Sequence, residues 1–420
     1  MDKKLELKKL LRHSGYIFFW FATAFSMTAS NIIQYVLSLY VLEQTGSATL
    51  FATMLSIIVI PRICLTPFAG VLGDRMRRLK LMKIIMFLSM LCLLCFSIGI
   101  TMHGTLPIIF VYVLVILLEM IEVFYQAAES AVVPEIVPKD LLAEAVSLSK
   151  LDDGIVYVAA PAIGTVMYTV FGVQGGLWIT AIFFGISFIF NYGIKTPYYT
   201  PPEKKEQHGF FSDFTAGLHI IKGDAFLSKF IFIAPLMTFF FSSVFSVVVA
   251  YLFLVSFGIK EQWYGLYRSI TASMVIIVPL LVVPLVKKVK TSKLVINSTL
   301  IVSLVLFLIA ALTRYVFAAG QSTYTFFKIT VTVLDCITIA AVMPVHLSVS
   351  TLYYTIIPNE YRSRVLSVVR MLTMIAIPLG NMFFGILTDR LPPYINIAIA
   401  GAAILGCYFL YRKAFKNLSV

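Results

Sequence analysis

The chain has 420 residues, of which 60% are apolar and only 13% are charged, and its mean hydropathy is +0.94. A soluble protein of this length needs far more polar surface, so the composition excludes that class. The net charge of +13 is typical of nucleic-acid-binding proteins, but its distribution along the chain indicates a different origin.

Long apolar stretches recur from one end of the chain to the other. Each has roughly 20 residues or more, enough for a helix to cross a bilayer of about 30 Å. The sequence therefore predicts an all-α polytopic membrane protein with twelve transmembrane helices. The predicted spans, numbered 1 to 12, cover about residues 16–42, 48–73, 79–101, 106–128, 143–171, 174–194, 226–257, 262–287, 293–313, 323–348, 364–390 and 393–412.

The basic residues divide unevenly between the loops. With the N-terminus inside, both termini and the inner loops hold most of the 33 Lys and Arg residues, whereas the outer loops hold only Lys260, Arg314 and Arg390. Cytoplasmic loops of membrane proteins carry this positive excess. We therefore expect a multi-pass protein of the cell membrane with both termini in the cytoplasm and no nucleic-acid partner.

Span 1 carries weakly polar side chains, among them Asn31 and Gln34, on one helix face. The loop after span 2 then contains one carboxylate and a cluster of bases in the order Gly-x-Leu-x-Asp-Arg-x-x-Arg. This order resembles the signature between the second and third helices of the major facilitator superfamily of secondary transporters. The matching residues are Gly70, Leu72, Asp74, Arg75 and Arg78, and the departures are Arg77 and Leu79.

The resemblance implies the major facilitator fold, in which two pseudo-symmetric halves of six helices rock about a central site. It gives the loop after span 2 a role in gating, because in the family this segment holds the halves together on the cytoplasmic side. The implied gating residues are Gly70, Asp74, Arg75 and Arg78.

Span 4 contains an acidic face, with Glu119, Glu122, Gln126 and Glu129 at helical spacing. Charges inside spans are costly, so each is a functional candidate. Two close carboxylates in an apolar environment favour reversible protonation, which makes Glu119 and Glu122 candidates for proton coupling. The alternative is a pair neutralised in a packed helix interface by a buried base such as Arg62.

Span 5 contains three further charges within four residues. Lys150 and Asp153 have the i,i+3 spacing of an ion pair, which leaves Asp152 in need of another partner. The family resemblance implies that span 5 packs near span 8, so Arg268 is a candidate. We expect Asp152 and Arg268 to form a structural lock between the halves.

Residues 195–225 form the longest polar stretch and divide the spans into two sets of six. The segment 137–140 before span 5 is echoed by 357–360 before span 11, as parallel repeats require. The sequence therefore predicts an N-terminal half at 1–194, a cytoplasmic linker at 195–225 and a C-terminal half at 226–420.

In the second half, span 7 offers Phe245 and span 10 offers Asp335 near mid-membrane. The resemblance implies that spans 1, 4, 7 and 10 line the central cavity. The candidate substrate-binding residues are then Asn31, Gln34, Glu119, Phe245 and Asp335, and the candidate proton-coupling residues are Glu119, Glu122 and Asp335. Stripes of this kind also serve plain helix packing.

Three segments, at 134–141, 211–217 and 358–365, look like the macrolide-efflux branch of drug:proton antiporters. Pro161 and Gly164 in span 5 are similar to the antiporter motif of these exporters. The resemblance implies proton-coupled efflux of a hydrophobic, drug-like or macrolide-like molecule by a monomer in the lipid bilayer, without cofactor or metal.

Two other functions remain open from the sequence. A lysophospholipid or siderophore transporter would share the fold and differ in cargo. A membrane-embedded lipid enzyme is a weaker alternative, because the chain has no His-rich cluster or nucleophile elbow. We therefore expect a transporter and not an enzyme.

Overall fold

The computed structural model describes residues 9–199, 215, 219, 221, 225–357 and 359–416. For residues 67, 70, 71, 73–75, 225–230, 283–288, 354–356, 359–361, 363 and 416 it describes the backbone alone. All regular elements in the described part are helical, which confirms the all-α fold. Most of the predicted linker 195–225, and the side chains of the predicted gating residues Asp74 and Arg75, lie outside the described part of the chain, and Gly70 is described by its backbone alone.

Short connections join successive helices, except between α6 and α7, where most of the intervening residues lie outside the described part of the chain. They are α1 (Ser14–Thr45), α2 (Ala48–Ile57), α3 (Val59–Arg75), α4 (Arg78–His103), α5 (Ile108–Ile136), α6 (Leu142–Gly193), α7 (Ala225–Ser243), α8 (Glu261–Lys288), α9 (Thr291–Ala319), α10 (Tyr324–Ile356), α11 (Asn359–Arg390) and α12 (Pro393–Lys416). Helix α7 continues through two π-helical turns, Val244–Val248 and Leu252–Ser256. Within the described residues, eleven helices are long and apolar enough to cross a membrane.

One of these eleven is long enough for two crossings. The helical run Lys139–Gly193 has 55 residues, and a helix of that length extends about 80 Å, more than twice the hydrocarbon thickness of a bilayer. Gly172 interrupts it with φ 64° and ψ −170°, a conformation open to glycine but not to other residues. Predicted spans 5 and 6 meet at this residue, which accounts for eleven helices where twelve spans are predicted.

The described chain forms two compact units. The first comprises residues 1–41 and 57–206. In it, α4 packs against α5 and α6, and α3 packs against α5. Helix α1 is tied to α6 by buried hydrogen bonds, in which Tyr16 donates to the Ala145 carbonyl at 2.8 Å and Ser187 donates to the Ala22 carbonyl at 2.7 Å.

The second unit comprises residues 42–56 and 207–420. Helix α9 packs against α10 and α12, α7 packs against α11 and α12, and α8 packs against α10. Ser303 of α9 donates to the Gly401 carbonyl of α12 at 2.9 Å. A buried apolar cluster drawn from five helices fills the interior, with Ile231, Val295, Leu352, Val368 and Tyr411 among its members.

The segment 42–56 belongs to the second unit, although it precedes most of the first unit in the chain. Asp389, near the end of α11, accepts hydrogen bonds from Ser47 Oγ at 2.8 Å, the Ala48 amide at 2.7 Å and the Thr49 amide at 3.0 Å. The carboxylate thus caps the N-terminus of α2, where the first amides of a helix have no partner within the helix.

Candidate functional site

A cavity of about 330 Å³ opens in the first unit, between side chains of α1, α3, α4, α5 and α6. Four residues that the sequence predicts for the site line it together: Asn31, Gln34, Glu119 and Glu122. This volume lies at the lower end of the range for small-molecule sites. The cavity is therefore large enough to hold a small ligand or one end of a larger one.

Arg62 and Glu119 form an ion pair in the wall of this cavity. The Arg62 Nη2 and Nε atoms lie 2.6 Å and 2.7 Å from the same Glu119 oxygen, Oε1. Only 10% of the Glu119 side chain is exposed, compared with 39% for Arg62. A carboxylate removed from water in this way needs the guanidinium as its counter-charge. The expected counter-charge contact of Arg62 is present for Glu119, but Arg62 is not the buried base that the sequence suggested, and Glu122 forms no ion pair with it.

Glu122 lies on the same face of α5 and has different partners. Ser30 Oγ of α1 donates to its Oε2 at 3.2 Å, and Gln126 Nε2 donates to its Oε1 at 3.1 Å. Both donors are neutral. One cavity thus holds two carboxylates, one in an ion pair and one hydrogen-bonded to uncharged groups.

The residues of the predicted antiporter motif support the wall behind α1. Pro161 and Gly164 are buried in α6. A Cβ atom added to Gly164 would lie 2.8 Å from the Cβ of Tyr35. The glycine therefore lets α6 approach α1 closely, beside the part of α1 that carries Asn31 and Gln34.

Arg78, the first residue of α4, contacts the end of α5. Its Nη1 donates to Glu135 Oε1 at 2.7 Å and to the Ala131 carbonyl at 3.1 Å. The sequence pattern did not identify Glu135 as this partner, because 57 residues separate the two. A gating role for Arg78 stays a prediction, and the side chains of its neighbours Asp74 and Arg75 lie outside the described residues.

The predicted ion pair between Lys150 and Asp153 is confirmed, with Nζ and Oδ2 2.6 Å apart. Asp152 is buried in the first unit, and its Oδ2 has no hydrogen-bond partner among the described residues. Arg268 belongs to α8 of the second unit. The lock between Asp152 and Arg268 stays a prediction.

Asp335 and Phe245 lie in the second unit and do not line the polar cavity. Asp335 is only 2% exposed and accepts a hydrogen bond from the Tyr267 hydroxyl at 2.7 Å. Phe245 is buried and packs against Phe241, with ring centroids 5.1 Å apart. Their predicted roles in substrate binding and proton coupling are not decided by these contacts.

The sequence alone does not indicate that some of the residues lining the cavity do so. Ser30, Ser89 and Phe184 line the cavity, but they stand in apolar helices where small and aromatic residues are common. In the described part of the chain, no group of three His, Cys, Asp or Glu side chains is placed to hold a metal ion.

The sequence profile of the Major Facilitator Superfamily matches residues 19–381. The chain belongs to the major facilitator superfamily. This membership confirms the resemblance carried by residues 70–78, which the structure places at the end of α3 and the start of α4 and not in a longer loop, and it makes the molecule a multi-pass membrane transporter.

Two relatives of this major facilitator protein match part of it. Macrolide efflux protein A of Streptococcus pyogenes is 28% identical over 156 residues, 36% of this chain. The uncharacterized MFS-type transporter YkuC of Bacillus subtilis is 22% identical over 237 residues, 53% of this chain. The matches span only 37% and 53% of the lengths of these relatives.

Solved structures of transporters resemble the whole fold. The nucleoside transporter NupG has a TM-score of 0.72 at 12% identity, with both chains fully covered. A bacterial homologue of the iron transporter ferroportin has a TM-score of 0.68 at 16% identity, with 96% of this chain and 99% of that chain covered. At these identities the likeness shows the fold alone.

Proposed function

We propose that this protein is a secondary active transporter that exports a hydrophobic, macrolide-like small molecule in exchange for protons. The observation that carries the proposal is the pair of unlike carboxylates in one cavity, Glu119 bound to Arg62 and Glu122 bound to neutral donors. The macrolide efflux relative supports the substrate class.

Glu122 is the carboxylate best suited to carry the exchanged proton. It can take a proton without breaking an ion pair, because Ser30 and Gln126 are uncharged. Protonation of Glu119 would instead break its ion pair with Arg62. A proton and a cationic substrate compete for one carboxylate, and this competition produces exchange.

The walls of the cavity fit one end of an amphipathic cation. Met27, Leu37 and Phe184 supply apolar surface, and Asn31 and Gln34 supply weakly polar groups. Many macrolides carry a tertiary amine, and a cavity of about 330 Å³ is large enough for such an amine and its immediate ring. We assign the amine to Glu122, as a charge-assisted contact in a mostly apolar site.

The same proposal covers location and assembly. The excess of Lys and Arg in the predicted inner loops supports a location in the cell membrane with both termini in the cytoplasm. We assign transport to the monomer in the lipid bilayer, without cofactor and without enzymatic turnover of the cargo.

The test uses purified protein and erythromycin as the probe. In a weakly buffered solution, addition of erythromycin should release protons from the wild type and not from Glu122→Gln. In proteoliposomes, an imposed pH gradient should drive erythromycin transport by the wild type, and an uncoupler should stop it. Asp140→Asn, which neutralises an exposed carboxylate outside the cavity lining, is the matched control and should behave like the wild type.

Other outcomes would contradict specific parts of the proposal. Loss of proton release in Asp335→Asn but not in Glu122→Gln would move the proton site to the second unit. Transport of a lysophospholipid that an uncoupler leaves unchanged would overturn proton coupling and favour the lipid-transporter alternative. Absence of erythromycin binding would overturn the substrate class.

A further inference from the structure

A groove of about 460 Å³ runs between α8 and α10 of the second unit. Its apolar walls include Trp263, Leu266 and Ile270 of α8 and Ile329, Val333 and Ile337 of α10. These six side chains are between 38% and 58% exposed. The groove is thus open along its side, and an apolar surface of this kind suits contact with hydrocarbon.

Both hydroxyl side chains on the floor of the groove already donate hydrogen bonds within the protein. The Tyr267 hydroxyl donates to buried Asp335 at 2.7 Å, so the Tyr267 ring lines the groove while its polar end is used inside the unit. Thr332 donates its hydroxyl to the Lys328 carbonyl within α10 at 2.6 Å. A hydrocarbon chain suits a floor of this kind better than a polar ligand does.

The groove has a single charged lining residue, Lys328. Its Nζ lies 3.8 Å from the centroid of the Trp263 ring, a cation–π contact that holds the ammonium at one end of the groove. Lys328 and Trp263 stand near the N-terminal ends of α10 and α8. Tryptophan at a helix end is typical of the membrane interface, where lipid phosphates lie.

The length of the groove matches one leaflet. Its lining extends along α10 from Lys328 to Ala340, and twelve helical residues rise about 18 Å. Half of the hydrocarbon layer measures about 15 Å. A ligand with a phosphate at Lys328 would therefore lay one acyl chain along the whole groove.

We propose that this groove binds an anionic phospholipid of the bilayer, with its phosphate at Lys328 and one acyl chain against Leu266, Val333 and Ile337. The charge of Lys328 complements a phosphate and repels the cationic cargo proposed for the polar cavity. The open side gives a bilayer lipid direct lateral access. This site is independent of the transport proposal, since it shares no residue with the cavity of the first unit.

Tryptophan quenching tests the proposal. The chain has three tryptophans, so the Trp20→Phe/Trp178→Phe variant leaves Trp263 as the reporter. It is reconstituted in mixed phosphatidylglycerol and phosphatidylcholine vesicles, in which one lipid at a time carries brominated acyl chains. One lysine strengthens the binding of an anionic lipid by an amount that corresponds to about a fivefold higher affinity. Brominated phosphatidylglycerol should therefore bind the site about fivefold more strongly than brominated phosphatidylcholine. In the Lys328→Gln background this preference should disappear.

Lys260→Gln is the matched control, because it removes a lysine three residues before Trp263 that does not line the groove. It should keep the preference for phosphatidylglycerol. Val333→Phe fills the groove and should weaken quenching by both brominated lipids, while Lys328 remains in place.

Three results would overturn the proposal. Equal quenching by the two lipids would show ordinary contact with surrounding lipid. An equal loss of preference in Lys260→Gln and Lys328→Gln would show a general surface-charge effect. Relief of quenching by excess erythromycin would show that the groove takes cargo and not a bilayer lipid.

Discussion

Arg62 on α3 and Glu119 on α5 are joined at 2.6 Å in the wall of the polar cavity. The two partners differ in their access to water, with the carboxylate far less exposed than the guanidinium. Removal of one partner therefore has unequal effects. A buried charge left without its counter-ion costs much more than an exposed one.

Arg62→Gln should lower the free energy of unfolding by about 2 kcal/mol, because it leaves the Glu119 carboxylate buried without a cation. Glu119→Gln should cost less, since Arg62 reaches water. The double variant Arg62→Gln/Glu119→Gln should be more stable than Arg62→Gln alone. Thermal and denaturant unfolding of the purified protein in detergent measures all three, and additive losses would show that the pair is not coupled.

The parts of this site that the sequence predicts follow from charge and helical period. Charged residues inside apolar spans are rare, so Glu119, Glu122 and Arg62 are conspicuous in the sequence. The spacing of Lys150 and Asp153 predicts their ion pair because both lie on one helix and no other element decides the contact.

Contacts between helices that are far apart in the chain leave no local pattern in the sequence. Asp389 caps α2 across 341 residues of sequence at Ala48, and hydropathy does not report which helix ends meet. The π-helical turns after Ser243 also escape detection, because an apolar run does not determine which backbone hydrogen-bonding pattern its helix adopts.

Gly164 is expected to tolerate no side chain. In Gly164→Ala the added Cβ meets the Cβ of Tyr35 at 2.8 Å, and that atom cannot move without the α1 backbone. The variant should therefore melt at a lower temperature and bind erythromycin less tightly, since α1 carries part of the cavity wall. A thermal-shift assay read by size-exclusion chromatography measures the melting temperature, and a ligand-binding assay measures the affinity for erythromycin.

Gly99→Ala is the control for this prediction. Gly99 also lies inside a helix, but an added Cβ there has no atom within 4 Å. Alanine has the higher helix propensity, by about 1 kcal/mol, so this variant should be as stable as the wild type or more stable. Equal melting temperatures for the two variants would contradict a tight contact at Gly164.

Asp74 gives a prediction that rests on the sequence signature alone. Asp74→Asn should slow transport by weakening the outward-facing state, while the affinity for substrate stays near that of the wild type. Transport rates in proteoliposomes and equilibrium binding in detergent separate the two quantities. A large loss of affinity with an unchanged rate would place Asp74 in the substrate site instead of the gate.

Asp389 should hold the start of α2 against α11. Asp389→Ala removes the acceptor for the Ala48 and Thr49 amides. Because hydrogen bonds to a charged group stabilise the protected state of an amide, hydrogen exchange at these two amides should become about tenfold faster. Hydrogen–deuterium exchange on peptides covering 46–56 measures the change. Ser47→Ala removes the hydroxyl that donates to Asp389 and accepts from the Leu50 amide but keeps both amide bonds to Asp389, so its faster exchange should be confined to Leu50. Unchanged exchange in Asp389→Ala would mean that other contacts, such as the close approach of Gly385 to Ala52, are sufficient to hold the segment.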